Sequence, residues 1–90
     1  MLLFNRFEWD EVNIEHILRH SVIPDDVEEA CMNKPYVRKG SDKRYLDGIT
    51  DNGRYIFIVG INKGKGIFRT ITARDMTERE KSLYKRRRER

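Results

Sequence analysis

Between residues 44 and 73 the chain reads RYLDGIT, RYIFIVGI and GIFRTITA, separated by DNGR and NKGKG. Three β-rich runs joined by turns this short have one economical solution, an antiparallel meander. Asn52-Gly53 suits the positive φ angles of a tight primed turn. Tyr55 to Val59 is apolar on both faces, which predicts a central strand covered at least in part on both sides. YVRK at 36–39 predicts a further strand.

The flanks read differently. LLFNRFEW predicts a first strand, with Phe7 and Trp9 alternating against Arg6 and Glu8. Asp10 has the side chain of an N-cap, and Ile14, Ile17 and Leu18 form the stripe of a helix running to about His20. SVIP ends that helix, and Pro24 opens a second one to about Met32, with Asp25 and Asp26 in its first turn. Ile23, at its cap position, caps poorly. Thr77 and Glu80 have capping-box spacing at the start of a last helix whose side bears Met76, Glu80, Leu83, Tyr84 and Arg87. The expected fold class is therefore α+β, in the order β-α-α-β-β-β(-β)-α, with an antiparallel sheet packed by helices.

Ninety residues suffice for one domain with a small core, expected over 1–90. The apolar runs MLLF and IFIV are too short for a membrane span or a signal peptide, so a soluble, cytoplasmic protein with no membrane contact is expected. Cys31, in VEEACM, is the one cysteine and reads as a small buried side chain.

Charge is divided along the chain. Residues 1–33 carry 2 basic and 8 acidic side chains, net −6, and residues 34–90 carry 17 and 7, net +10. A one-sided basic field suits a polyanion or an acidic protein partner, while mutual neutralisation within the fold is the alternative.

FEWDEVNIEHILRHSVIPDDVEEA at 7–30, RYLDGITDNGRYIFIV at 44–59 and FRTITARDMTEREKSLY at 68–84 resemble the BrnT toxins of type II toxin–antitoxin pairs. The likeness covers nearly the whole chain. Ile23 departs from the usual Thr or Ser cap, and Ser21 stands where glycine is common. The resemblance implies a fold similar to RelE and ParE toxins and RNA cleavage that needs no metal or other cofactor and arrests translation. It also implies a cognate antitoxin that neutralises the toxin and supplies the operator-DNA-binding module.

Cleavage of this kind needs a base for the 2′-hydroxyl, cations for the developing phosphorane charge and an acid for the leaving oxygen. Period-two alternation puts Arg69, Ile71 and Ala73 on one face of the last strand, so Arg69 is the first candidate, as a phosphate clamp. Arg74 at the end of that strand, Lys43 and Arg44 at the start of the meander, and Arg54 after its first turn are further candidates. Tyr84 is a candidate acid or stacking ring. Each has a plain alternative, a solvated strand charge or, for Tyr84, a helix anchor. His16 and His20 are four apart on the first helix; HILRH lacks the glutamate of the zinc motif, leaving proton transfer, substrate positioning or edge packing.

KRRRER at 85–90 reads as a flexible basic tail that would raise affinity without choosing a site. Two rivals remain: a non-catalytic RNA- or DNA-binding module that would use the same basic face, and a ParE-like inhibitor of a topoisomerase, which shares the architecture and needs no cleavage chemistry. The first would need exposed aromatic rings, whereas most rings here are expected in core positions.

Overall fold

The computed structural model describes residues 4–88. The Leu2–Leu3 part of the expected first strand and the Glu89–Arg90 end of the expected tail lie outside them. The elements are β1 (Arg6–Glu8), α1 (Glu11–Leu18), α2 (Pro24–Met32), β2 (Tyr36–Lys39), β3 (Arg44–Ile49), β4 (Tyr55–Gly64), β5 (Ile67–Asp75) and α3 (Glu78–Arg88). They form an α+β structure around a five-stranded sheet of order β1-β5-β4-β3-β2. The meander is antiparallel and β4 is central, as its sequence predicts. The sheet is nevertheless mixed, because β1 pairs in parallel with β5, Phe7 opposite Phe68. Local pattern shows that a segment is a strand, but a partner sixty residues away is chosen by the packing of the whole chain.

The helices flank the sheet on both sides. Ile17 of α1 and Val27 and Ala30 of α2 are buried with Leu46, Ile56, Ile58, Phe68 and Ala73 on what we term the inner face. Helix α3 lies against the outer face, where the fully buried Tyr84 meets the Tyr55 ring edge to face at 5.9 Å. Thr77 and Glu80 exchange the two bonds of a capping box. The helix continues to Arg88, so residues 85–88 of the expected tail are its last turn. Helix α1 ends two residues before His20, at Leu18, and Ser21 follows with φ +58°. That left-handed backbone explains why glycine suits this position. At α2, Asp26 accepts from the Ile23 N–H, so the missing side-chain cap is half replaced by a bond in the other direction.

Two details revise the expected register. The primed-type turn falls at Lys65-Gly66, where both residues have positive φ, whereas in the Thr50–Arg54 connection only Gly53 does. There the Thr50 hydroxyl takes the place of a second glycine, accepting from the Arg54 N–H at 3.0 Å. More consequentially, pairing shifts from Val59–Thr72 to Gly60–Thr70, leaving Ile71 as a bulge. Strict alternation would put Ala73 beside Arg69. The bulge instead turns Ala73 into the core and brings Arg74 onto the outer face with Arg69.

Candidate nucleic-acid interface

Register alone builds the outer face. Tyr36, Asp47, Phe57 and Arg74 lie opposite one another across β2, β3, β4 and β5, and Arg38, Tyr45, Val59 and Thr72 form the next row. Side chains directly opposite on one face touch. The result is an alternation of rings and guanidinium groups. Tyr45 and Phe57 are nearly parallel, with centroids 6.3 Å apart and planes 10° apart. Arg38 stands 5.8 Å from the Tyr45 centroid and 5.9 Å from that of Phe57, and Arg74 covers Phe57 at 4.6 Å. From α3, Arg87 covers the Tyr36 ring at 4.2 Å. Planar cations stacked on rings are held in place at little cost while their edges stay available to phosphate or base.

Arg74 is held by three hydrogen bonds. Its two terminal nitrogens donate to the two Glu80 oxygens at 2.8 and 3.0 Å, and Nη1 also donates to the Asp75 carbonyl. The fork holds the Glu80 carboxyl down at about 2, with help from the Thr77 N–H. Because Glu80 is lowered on folding, its contribution to stability is present above about pH 4.5 and fades as pH falls toward 2. We expect Glu80→Gln to cost about 1 kcal/mol at pH 7, after solvent screening, and about a quarter of that at pH 2.5, read from urea midpoints. An equal loss at both pH values would show that the carboxylate charge is not what stabilises.

The other expected site residues are dispersed, each for a visible reason. Arg69 does face outward, but it donates to Asp10 at 2.9 and 3.3 Å and to Glu8 at 3.1 Å. These bonds raise its own pKa and lower that of Asp10, and Arg69 ties β5 to the start of α1, away from the rings of the outer face. Arg54 lies at the opposite end of the sheet, donating to Asp75 at 2.6 Å and to the Ser21 and His20 carbonyls at 2.5 and 3.1 Å. It pins the α1–α2 turn and is not poised for a substrate. Arg44 pairs with Gly60 on the inner face, away from Arg74, and Lys43 precedes the strand. Tyr84 is completely buried, and its hydroxyl accepts from Arg88 at 2.8 Å, so it anchors α3 and has no route to an RNA leaving group. Tyr84→Phe should therefore lower stability by about 1 kcal/mol in thermal unfolding; an unchanged Tm would show that the hydroxyl's bond to Arg88 does not anchor the helix.

His16 shares a cleft of about 210 Å³ with Arg69, Asn13 and Thr70, whereas His20 is exposed in the turn beyond α1. Their rings are 6.1 Å apart. Among the described residues no group of three His, Cys, Asp or Glu side chains could hold a metal. No helix among them is long and apolar enough to cross a membrane. Burial pushes the Cys31 thiol up to about 12, which fits a packing role.

Arg38, Tyr45, Asp47, Phe57 and Arg87 were the residues that sequence reasoning passed over. A signal was present: Tyr36/Arg38, Tyr45/Asp47 and Tyr55/Phe57 each stand two apart in a strand and so share a face. Of the aromatic residues, Phe4, Phe7 and Phe68 pack together with the core, but Tyr36, Tyr45, Tyr55 and Phe57 are on the outer face. With Trp9 packed against the core and Tyr84 buried, five of the nine rings are spent as expected, and these four are the exceptions. No protein-family model matches the chain, and no curated protein matches it in sequence.

Proposed function

We propose that the outer face binds single-stranded RNA and that the protein is the toxin of a type II toxin–antitoxin pair, a RelE-like endoribonuclease that cuts RNA without a metal and arrests translation in the cytoplasm. The observation that carries this reading is the row of stacked cations and rings formed by Arg38, Tyr45, Phe57 and Arg74. Unstacked bases are held on aromatic rings and guanidinium planes, and phosphates by cations, without any need for a groove that fits a duplex. The three segments resembling BrnT toxins add cleavage and a neutralising antitoxin, which would dock on the toxin and contact operator DNA itself.

In this reading Arg74 replaces Arg69 as the phosphate clamp. Its fork is fixed by Glu80 and stacked on Phe57, so it meets the developing phosphorane charge with little reorganisation. Asp47 and Glu80 are the carboxylates inside the arginine set. Burial raises the Asp47 pKa, which suits proton transfer better than the strongly ionised Glu80.

A non-catalytic RNA-binding module is the second reading, and it is favoured by the same half-buried rings of the outer face. Incubating the purified protein with end-labelled single-stranded RNA in EDTA separates the two. Defined fragments support the nuclease; retarded but intact RNA supports the binder; no interaction with RNA removes both.

A further inference from the structure

Two cavities adjoin beneath and beside α3. One, of about 220 Å³, is lined by Arg38, Asp47, Arg79, Glu80, Leu83 and Arg87, and the other, of about 410 Å³, by Tyr36, Leu83, Arg86 and Arg87. Leu83 and Arg87 form their common wall. Asp47 lines the first and is only 4% exposed. Its Oδ2 lies 3.5 Å from Arg38 and 3.7 Å from Arg87, at and beyond the limit of a hydrogen bond. Its Oδ1 is buried with no hydrogen-bond donor among the described residues. A buried carboxylate oxygen without a donor is costly, and the two arginines reach only the other oxygen. Glu80, the other carboxylate of the cavity, is already engaged by Arg74 and Thr77.

We infer that Asp47 is the base-reading residue of this face and that the cavity takes a guanine of single-stranded RNA. The assignment rests on the RNA-binding reading above and goes further by naming the base. A carboxylate presents two acceptor oxygens side by side, and the edge that complements them carries two adjacent N–H donors. Among RNA bases guanine has such an edge, N1–H with the exocyclic N2–H. Adenine and cytosine offer one amino group beside an acceptor nitrogen, and uracil offers one N–H between two carbonyls that a carboxylate repels. The surroundings fit the rest of a nucleotide. Arg38 and Arg87 offer planes for stacking, Tyr36 offers a ring, and Arg79 and Arg86 offer charge for the flanking phosphates.

The test uses uncleavable 2′-fluoro oligonucleotides, uridine-rich with one central guanine, and the same strand with inosine, which lacks the N2 amino group. Fluorescence anisotropy should show the wild-type protein binding the guanine strand about tenfold more tightly than the inosine strand. Asp47→Asn should abolish that preference, read as the ratio of its own affinities for the two strands, with a Tm no lower than wild type. Equal wild-type affinity for the two strands overturns the assignment, as does a preference that survives in Asp47→Asn. The wild-type comparison decides alone if the variant does not fold. Binding of RNA without base preference removes only the guanine assignment, whereas no binding of any strand removes the RNA reading with it. Competition by free guanosine monophosphate identifies the source: displacement only at concentrations far above those of the oligonucleotide supports RNA, and displacement at equal concentration would overturn RNA as the ligand.

Discussion

Arg74→Ala is expected to lower RNA cleavage by about 10²–10³-fold while weakening RNA binding less than tenfold. The asymmetry follows from position. Arg38 and Arg87 remain to hold the strand, but the guanidinium that lies nearer to Phe57, at 4.6 Å, and is held by both oxygens of a carboxylate is lost. Arg74→Lys should recover little, since an ammonium keeps the charge and forfeits both the planar stacking and the two-pronged contact with Glu80. Arg69→Ala is the informative companion. Its partners are Glu8 and Asp10, so that variant should lose stability at the β1–α1 junction and keep cleavage within a few-fold. Rate and affinity are best read together, by single-turnover cleavage in EDTA and anisotropy with uncleavable RNA. Cleavage at the wild-type rate by the Arg74→Ala protein would remove Arg74 from the site and transfer the phosphate role to Arg38 or Arg87.

Gly60→Ala should destabilise the fold by about 3 kcal/mol, lowering Tm by roughly 12 °C or more in a domain of this size. Gly60 has no positive φ to explain its presence; what it needs is space. A Cβ there would stand 2.2 Å from Cζ of Phe68 and 2.6 Å from the Arg69 carbonyl oxygen. Neither can yield cheaply. Phe68 is fully buried and stacked on Phe4 at 4.5 Å, and the carbonyl belongs to the strand next to the Ile71 bulge. Gly53 is the contrast: its added Cβ would meet nothing within 4 Å, so Gly53→Ala should pay only for its φ of +88°, about 1 kcal/mol. Circular dichroism melts of the two variants measure the difference directly. A Gly60→Ala protein as stable as Gly53→Ala would mean that the bulge relaxes freely and does not hold the register that carries Arg74.

The residues that surprised are instructive about where sequence reasoning stops. Helix α2 was legible to its last residue because Pro24, the acidic first turn and the apolar spacing are all local. The capping box of α3 was legible for the same reason. Arg69 was chosen because it sits in mid-strand, which is true, but its charge is taken by Glu8 and Asp10, sixty residues earlier, through a parallel strand pairing that no short window contains. Tyr84 and Arg54 have partners that are equally remote in sequence or set by packing, one buried beneath α3 and the other bonded to the α1–α2 turn.

The amino-acid sequence by itself determined the elements, their order, the meander and its central strand, because caps, turns and hydrophobic period act over a few residues and do not depend on the rest of the chain. Tertiary structure alone decided which carboxylate each of these arginines meets. A single bulged residue, Ile71, reverses the parity of β5 and sends Arg74 to the outer face, and a guanidinium becomes a tie or a clamp according to which carboxylate the fold brings within 3 Å of it.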